Sequence, residues 1–222
     1  VKSGATLTIT CELQMVPEAS IIIEPGAKLD IDGGVITTGK NSPGLWQGIQ
    51  VIGNYSLPQS TANSGTLIIR NGATVENAVN AVRLIGLDAN GDWDWATTGG
   101  IVQATESTFR NNWRAFEFMS YEDPVTNDNL SYIYDCAFIT DVDVLNDGRT
   151  PYAFITLFDV DGVEILGNDF SNTSAAPANE RGVGIISLDA SYNVKSYCPA
   201  ISPSGCTVPL DNTTFTDLYR GM

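Results

Sequence analysis

Asp88, Asn90, Asp92 and Asp94 put an oxygen-bearing side chain at every second position of Asp88-Ala89-Asn90-Gly91-Asp92-Trp93-Asp94. Many calcium loops open with that spacing, because a hard cation collects carboxylate and amide oxygens. The twelfth position counted from Asp88 is Gly99, so the bidentate Glu that completes an EF-hand loop is missing and only the opening half matches. Ca2+ at Asp88, Asn90, Asp92 and Asp94 is one reading of this stretch, and an ordinary polar loop is the other. Trp93 and Trp95 lie in the same loop, where an indole face either stacks on a sugar ring or covers the coil beneath it.

Asp141-Val142-Asp143 and Asp159-Val160-Asp161 each place two carboxylates on one face of an extended segment. Paired carboxylates are the tools of glycoside hydrolysis, yet a hydrolase that also relies on histidine is excluded, since the chain has none. Solvated corner acids are the competing explanation. Arg83, Arg114, Arg181 and Arg220 recur beside a column of small residues, with Arg114, Arg181 and Arg220 at one shared position. Such a stripe suits an anionic glycan, or ion pairs with Glu117, Glu180 or Asp217.

The four cysteines form no C-x-x-C, so zinc is a poor fit. Cys198 and Cys206 bracket Pro199, Pro203 and Gly205 and are spaced for a disulfide across a short loop in an oxidising compartment. Cys11 and Cys136 are expected to be small buried hydrophobes. Eleven basic against 26 acidic side chains give a formal charge of −15, which repels nucleic-acid phosphates and anionic lipid headgroups. No apolar run reaches the roughly 20 residues that span a bilayer, so no membrane insertion is expected.

These groups must be positioned by something, and the chain supplies a repeating unit. Gly99 to Tyr121 contains three short apolar runs, Ile101-Val102, Thr108-Phe109 and Ala115 to Phe118, separated by polar corners. Three strands and three corners make one coil. A third-strand column of small residues recurs at Gly48, Ala81, Ala115, Ala153, Gly182 and Gly221. A second-strand column reads Leu29, Val75, Phe109, Phe138, Phe170 and Phe215. The first strand supplies Ile21 to Ile23, Leu67 to Ile69, Ile101-Val102, Tyr132-Ile133, Val163 to Ile165 and Val208. Columns that keep step across variable loops predict a stacked solenoid.

Corners use Gly early, as in Pro25-Gly26 and Asn71-Gly72, and polar residues later. Asn111, Asn112, Asn168 and Asn212 are read as corner residues suited to left-handed conformations. Insertions rich in Asn, Asp, Gly, Pro and Ser fall at Gly39 to Leu45, Asn54 to Ser64, Asp88 to Thr98, Glu122 to Asn129, Val142 to Thr150, Thr173 to Asn179 and Tyr192 to Cys206. No i, i+3, i+4, i+7 pattern is sustained, and Thr, Val, Ile and aromatic residues dominate. The expected fold is all-β: a right-handed parallel β-helix with three short strands per coil, about six coils and inserted loops, in one domain over residues 1–222. Trp46 and Trp113 precede the small-residue column and are expected to pack structurally.

Trp46-Gln47-Gly48-Ile49, Gly99-Gly100-Ile101, Phe109-Arg110-Asn111-Asn112, Ala115 to Tyr121 and Asn129-Leu130-Ser131-Tyr132 resemble the β-helix repeat regions of secreted and cell-surface Bacteroidota proteins, many of them type IX secretion substrates. The resemblance covers nearly the whole chain. It implies a pectate-lyase-like solenoid, export to the cell surface or medium, and a fragment of a longer protein, since no sorting domain is present. Both ends read as cut within a coil, unless Val1 to Met15 forms a cap. The architecture serves enzymes and passive modules alike. The function expected first is therefore a non-enzymatic structural or adhesive module whose loops contact a glycan or a cell-surface protein, or whose ends self-associate. The alternative is a polysaccharide lyase or another carbohydrate-active enzyme of the pectate-lyase-like fold.

Overall fold

Ile9, Ile31, Ile69, Ala104, Ile133, Ile165 and Val194 occupy one row, each in register with the next across a parallel ladder. A side chain that points inward every second residue of a strand, repeated once per coil, leaves one apolar residue directly above another. The computed structural model describes residues 1–39, 42–126, 129–203 and 205–222. Lys40, Asn41, Asn127, Asp128 and Ser204, inside three of the expected insertions, lie outside the described residues.

Three parallel sheets run the length of the molecule. The first comprises Thr6–Ile9, Lys28–Asp32, Thr66–Arg70, Ile101–Thr105, Tyr132–Tyr134, Asp161–Leu166 and Ser191–Lys195. The second comprises Glu12–Met15, Val35–Thr38, Thr74–Glu76, Thr108–Arg110, Ala137–Thr140, Asp169–Asn172 and Thr214–Thr216. The third comprises Ser20–Ile23, Trp46–Val51, Ala78–Arg83, Arg114–Phe118, Ala153–Phe158 and Val183–Leu188, extended by a bridge from Val183 to Arg220. The chain visits the sheets in turn, so each circuit is a coil of a parallel β-helix, the hand being the right-handed one that parallel crossovers take. We number the coils one to seven from the N-terminus.

The aromatic half of the second column stacks as the sequence predicts. Phe109, Phe138, Phe170 and Phe215 are in register, with ring centroids 5.2, 4.5 and 4.8 Å apart and nearly parallel planes. Phe116 of the third sheet meets Phe109 edge-on at 4.5 Å, an arrangement the ring quadrupole favours. Leu29, Ile31, Leu67, Ile69, Phe109, Phe138 and Phe170 are fully buried in this single core.

Some column assignments move. Leu29 pairs with Leu7 and Leu67 in the first sheet, and Ile36 takes the place expected of Leu29 beside Val75, whose other neighbour is Phe109. Ile21 to Ile23 belongs to the third sheet. The seventh first-sheet strand is Ser191–Lys195 and not the segment at Val208. Among the described residues the three sheets hold seven, seven and six strands, in line with about six coils. Aliphatic runs look alike at period two, so only the phenylalanines mark a sheet unambiguously. In the third sheet, a bulge at Gly48/Ile49 shifts the register, and Arg114 rather than Ala115 is opposite Ala153. The small residues therefore fall in three adjacent rows, Gly182 one before Gly48 and Ala153, and Ala81, Ala115 and Gly221 one after.

Corners between the first and second sheets use φ > 0 at Asn71, Glu106 and Asp135, and at Gly33, Gly72 and Gly167. Their amides bond the corner of the next coil, as in Gly72 N to Glu106 O at 2.8 Å and Asp135 N to Leu166 O at 3.0 Å. Asn111 has φ 51°. Asn112, Asn168 and Asn212 have no positive φ; the first two are buried and bond backbone with their side chains. The insertion of coil five reaches past two intervening coils: its Asn146 donates to the carbonyls of Ser42 and Gly44 in coil two, at 3.1 and 3.0 Å.

Candidate functional site

Three insertions leave the third sheet at successive coils and dock side by side. Asn54 to Ser64 is held to Asp88 to Thr98 by backbone bonds from Gly53 to Thr97 (2.8 Å) and Tyr55 to Ala96 (3.1 Å). On its other side the Asp123 carboxylate accepts from the amides of Gln59 (3.0 Å), Val125 (2.9 Å) and Thr126 (3.0 Å). Tyr121 Oη donates to Leu57 O at 2.9 Å. Gln59 adds Nε2 to Gly100 O and accepts from Leu130 N. Burial raises the Asp123 pKa, but its backbone donors outweigh that and hold it below the usual carboxylate range. These loops are therefore fixed, with a buried anion as the fastener.

The Asp88 to Thr98 insertion opens with a hairpin that begins just ahead of it, Gly86–Leu87 against Trp93–Asp94. Asp88 Oδ1 accepts from Asn90 N (2.8 Å) and Asp92 N (3.0 Å), and these bonds pull its pKa down. Asp94 accepts from Ala96 N and caps a short 3-10 turn, Trp95–Thr97. The four oxygen-bearing residues named for calcium thus divide between two turns. Among the described residues, no three Asp, Glu, Cys or His side chains are grouped as a metal site needs.

Trp93 and Trp95 stand on this hairpin, 46% and 45% exposed. Their rings are 5.7 Å apart and edge-on, and Trp95 leans on Phe158 at 6.0 Å. Tyr55, Ser56, Ala96 and Ser120 join Trp95 around one hollow. Beside it a groove of about 200 Å³ crosses the third sheet, between Trp93 on one side and Tyr152, Phe158 and Leu188 on the other. Its floor carries Glu117, which is buried and takes Arg83 Nε at 2.9 Å and an ion pair with Arg114. Arg114 lies 5.2 Å from the centroids of both Trp113 and Tyr152, whose rings stack. Burial lowers its pKa to about 10, so it stays cationic at neutral pH.

The remaining sequence candidates separate. Asp141 pairs with Arg110 and exchanges bonds with Asn111. Asp143 accepts from Ala175 N, Asp159 from the Ser120 hydroxyl and Asp161 from Ser191 N. Asp159 has φ 49°, so its segment bends where an extended one was expected. Each acidic pair ties neighbouring segments together rather than facing one cleft. Of the four arginines expected in a stripe, Arg83 and Arg114 share Glu117, Arg181 is 3.9 Å from Asp217, and Arg220 lies over Tyr219. Arg114 and Arg220 do share a row, through Ala153 and Val183, but Arg181 is outside it. Trp46 is fully buried and donates to Glu76 O, while Trp113 is half-buried under Arg114 and Arg149.

Cys198 and Cys206 are joined, with Cα atoms 5.8 Å apart, at the base of a hairpin, Ile201–Ser202 with Gly205–Cys206. Cys136 is buried, which raises its thiol to about 12. Cys11, expected to be buried, is exposed at the corner of coil one. Sequence reasoning missed Tyr55, Phe158 and Leu188 as surface residues and Asp123 as a fastener. A signal existed for Phe158: it follows Leu157 and breaks the alternation of its strand. No family model matches the chain, and neither the curated proteins nor the solved structures contain a match.

Proposed function

We propose that this chain is a module of an exported, non-enzymatic β-helix protein that adheres to a partner through the loops and outer face of its third sheet. One observation carries the reading: Tyr55, Trp93, Trp95, Phe158 and Leu188 are exposed together beside a rigid scaffold. Solvent-facing aromatics cost free energy unless something covers them, and contiguous patches of this kind mark interaction sites. Fixed loops also lower the ordering cost of association. The Cys198–Cys206 bridge suits an oxidising compartment, in keeping with export.

The lyase alternative asks for several carboxylates and a base around one substrate groove, whereas the third-sheet groove offers Glu117 alone. Two measurements decide between the readings. The labelled module should bind intact cells or glycan-coated surfaces, and Trp93→Ala with Trp95→Ala and Phe158→Ala should abolish that binding without altering the melting curve. Incubation with polygalacturonate and calcium should release no unsaturated, ultraviolet-absorbing product. Turnover, or adhesion untouched by the triple variant, would refute the proposal.

A further inference from the structure

The outer face of the third sheet differs in charge from the rest of the molecule. Its strands hold a single acid, Glu117, and two bases, Arg83 and Arg114, in a chain of 26 acidic and 11 basic residues. First-sheet strands carry the opposite excess, Asp30, Asp32, Asp161 and Glu164 against Lys28, Arg70 and Lys195. Two guanidiniums bring more donors than one carboxylate can accept, and the Nε of Arg114 is buried without a hydrogen-bond partner. The Arg83–Glu117–Arg114 cluster, of which Glu117 and Arg114 line the groove, is therefore short of one negative charge.

The walls narrow the choice of occupant. Trp93, Met119, Tyr152, Phe158 and Leu188 present rings and aliphatic groups, and the uncharged hydrogen-bonding groups among the lining are three, the Thr156 and Tyr152 hydroxyls and the Trp93 indole N–H. Pyranose hydroxyls would go largely unanswered there, at a cost for each unpaired polar group. Trp, Tyr, Met and Arg are instead the residues enriched at the centres of protein contacts. Resting on the reading of this face as a binding surface, we propose that the groove docks a peptide segment of a partner protein, one that alternates apolar side chains with carboxylates. An apolar side chain fills the space beside Trp93 and Phe158, and a carboxylate meets Arg114.

The test titrates the intact module with an extended peptide alternating leucine and aspartate, following tryptophan fluorescence. Its counterparts alternate leucine with lysine and leucine with serine, and cellohexaose and an oligogalacturonate are run alongside. The aspartate peptide should bind about tenfold tighter than either counterpart, the equivalent of roughly 1.4 kcal/mol. Phe158→Ser and Leu188→Ser, at exposed positions, should each weaken it about fivefold or more with the melting curve unchanged. Arg114→Lys, which keeps the charge and loses the planar fork, should erase the preference for aspartate. Equal binding of all three peptides, or none, overturns the inference. Binding of an oligosaccharide without the aspartate peptide also overturns it, while leaving the adhesive reading of the face intact.

Discussion

Asn112 holds Ala78 of the preceding coil: its Oδ1 accepts from Ala78 N at 2.9 Å, and its Nδ2 donates to Val75 O at 3.0 Å. Asn168 repeats the device two coils later on Cys136 N and Ile133 O, both at 2.9 Å. Both asparagines are buried, so truncation strands a donor and an acceptor where water does not reach. Asn112→Ala should cost about 2–4 kcal/mol, read as a lower midpoint in urea. Asn112→Asp should be no milder, because it loses the donor and sets a carboxylate against a carbonyl.

The phenylalanine stack gives a graded expectation. Phe138 touches Phe109, Phe116, Phe154 and Phe170, and Phe138→Ala should destabilise by about 3–5 kcal/mol. Phe215, partly exposed in coil seven, should lose less than half as much. Equal losses at the two sites, measured by denaturant unfolding, would contradict a core concentrated in the middle coils.

Acid should release the loops before it melts the coils. Asp123 has a lowered pKa, so its stabilising contribution is complete above the unfolded value, about 3.9, and disappears as pH falls through the lower folded value. Amide exchange at Gln59, Val125 and Thr126 should accelerate below about pH 4 relative to the core, after correction for intrinsic rates. In Asp123→Asn those amides should exchange fast at every pH, with no such step.

Asp88 organises its own turn. Asp88→Ala should therefore raise exchange at Asn90 and Asp92 and leave the melting temperature within a degree or so of the parent. Millimolar calcium should shift neither protein, because Asp88 and Asp94 serve different turns. A calcium-dependent rise that Asp88→Ala removes would establish an ion site.

The repeat was readable because the core demands it. Phe109, Phe138, Phe170 and Phe215 can stack only if their coils are in step, and their spacing in the sequence gave that away. Leu29, expected in the second strand, pairs with Leu7 and Leu67 in the first sheet instead, because an aliphatic run satisfies any of the three inward faces. The groove was less legible. Trp93 and Trp95 were conspicuous by type, but Phe158 and Leu188 became surface neighbours only through a pairing between coils five and six. Asp123 looked like one more loop acid, since nothing local shows that Gln59, 64 positions earlier, closes over it.

In a stack where each layer touches only the layers beside it, denaturation runs inward from an end, one layer at a time. The Asn146 contact with Ser42 and Gly44 breaks that locality, for it couples layers two and five directly. Layer two cannot peel away while layer five is intact unless this latch opens first. The segment between them should respond to force or heat as one block, with fraying confined to the layers outside the latch.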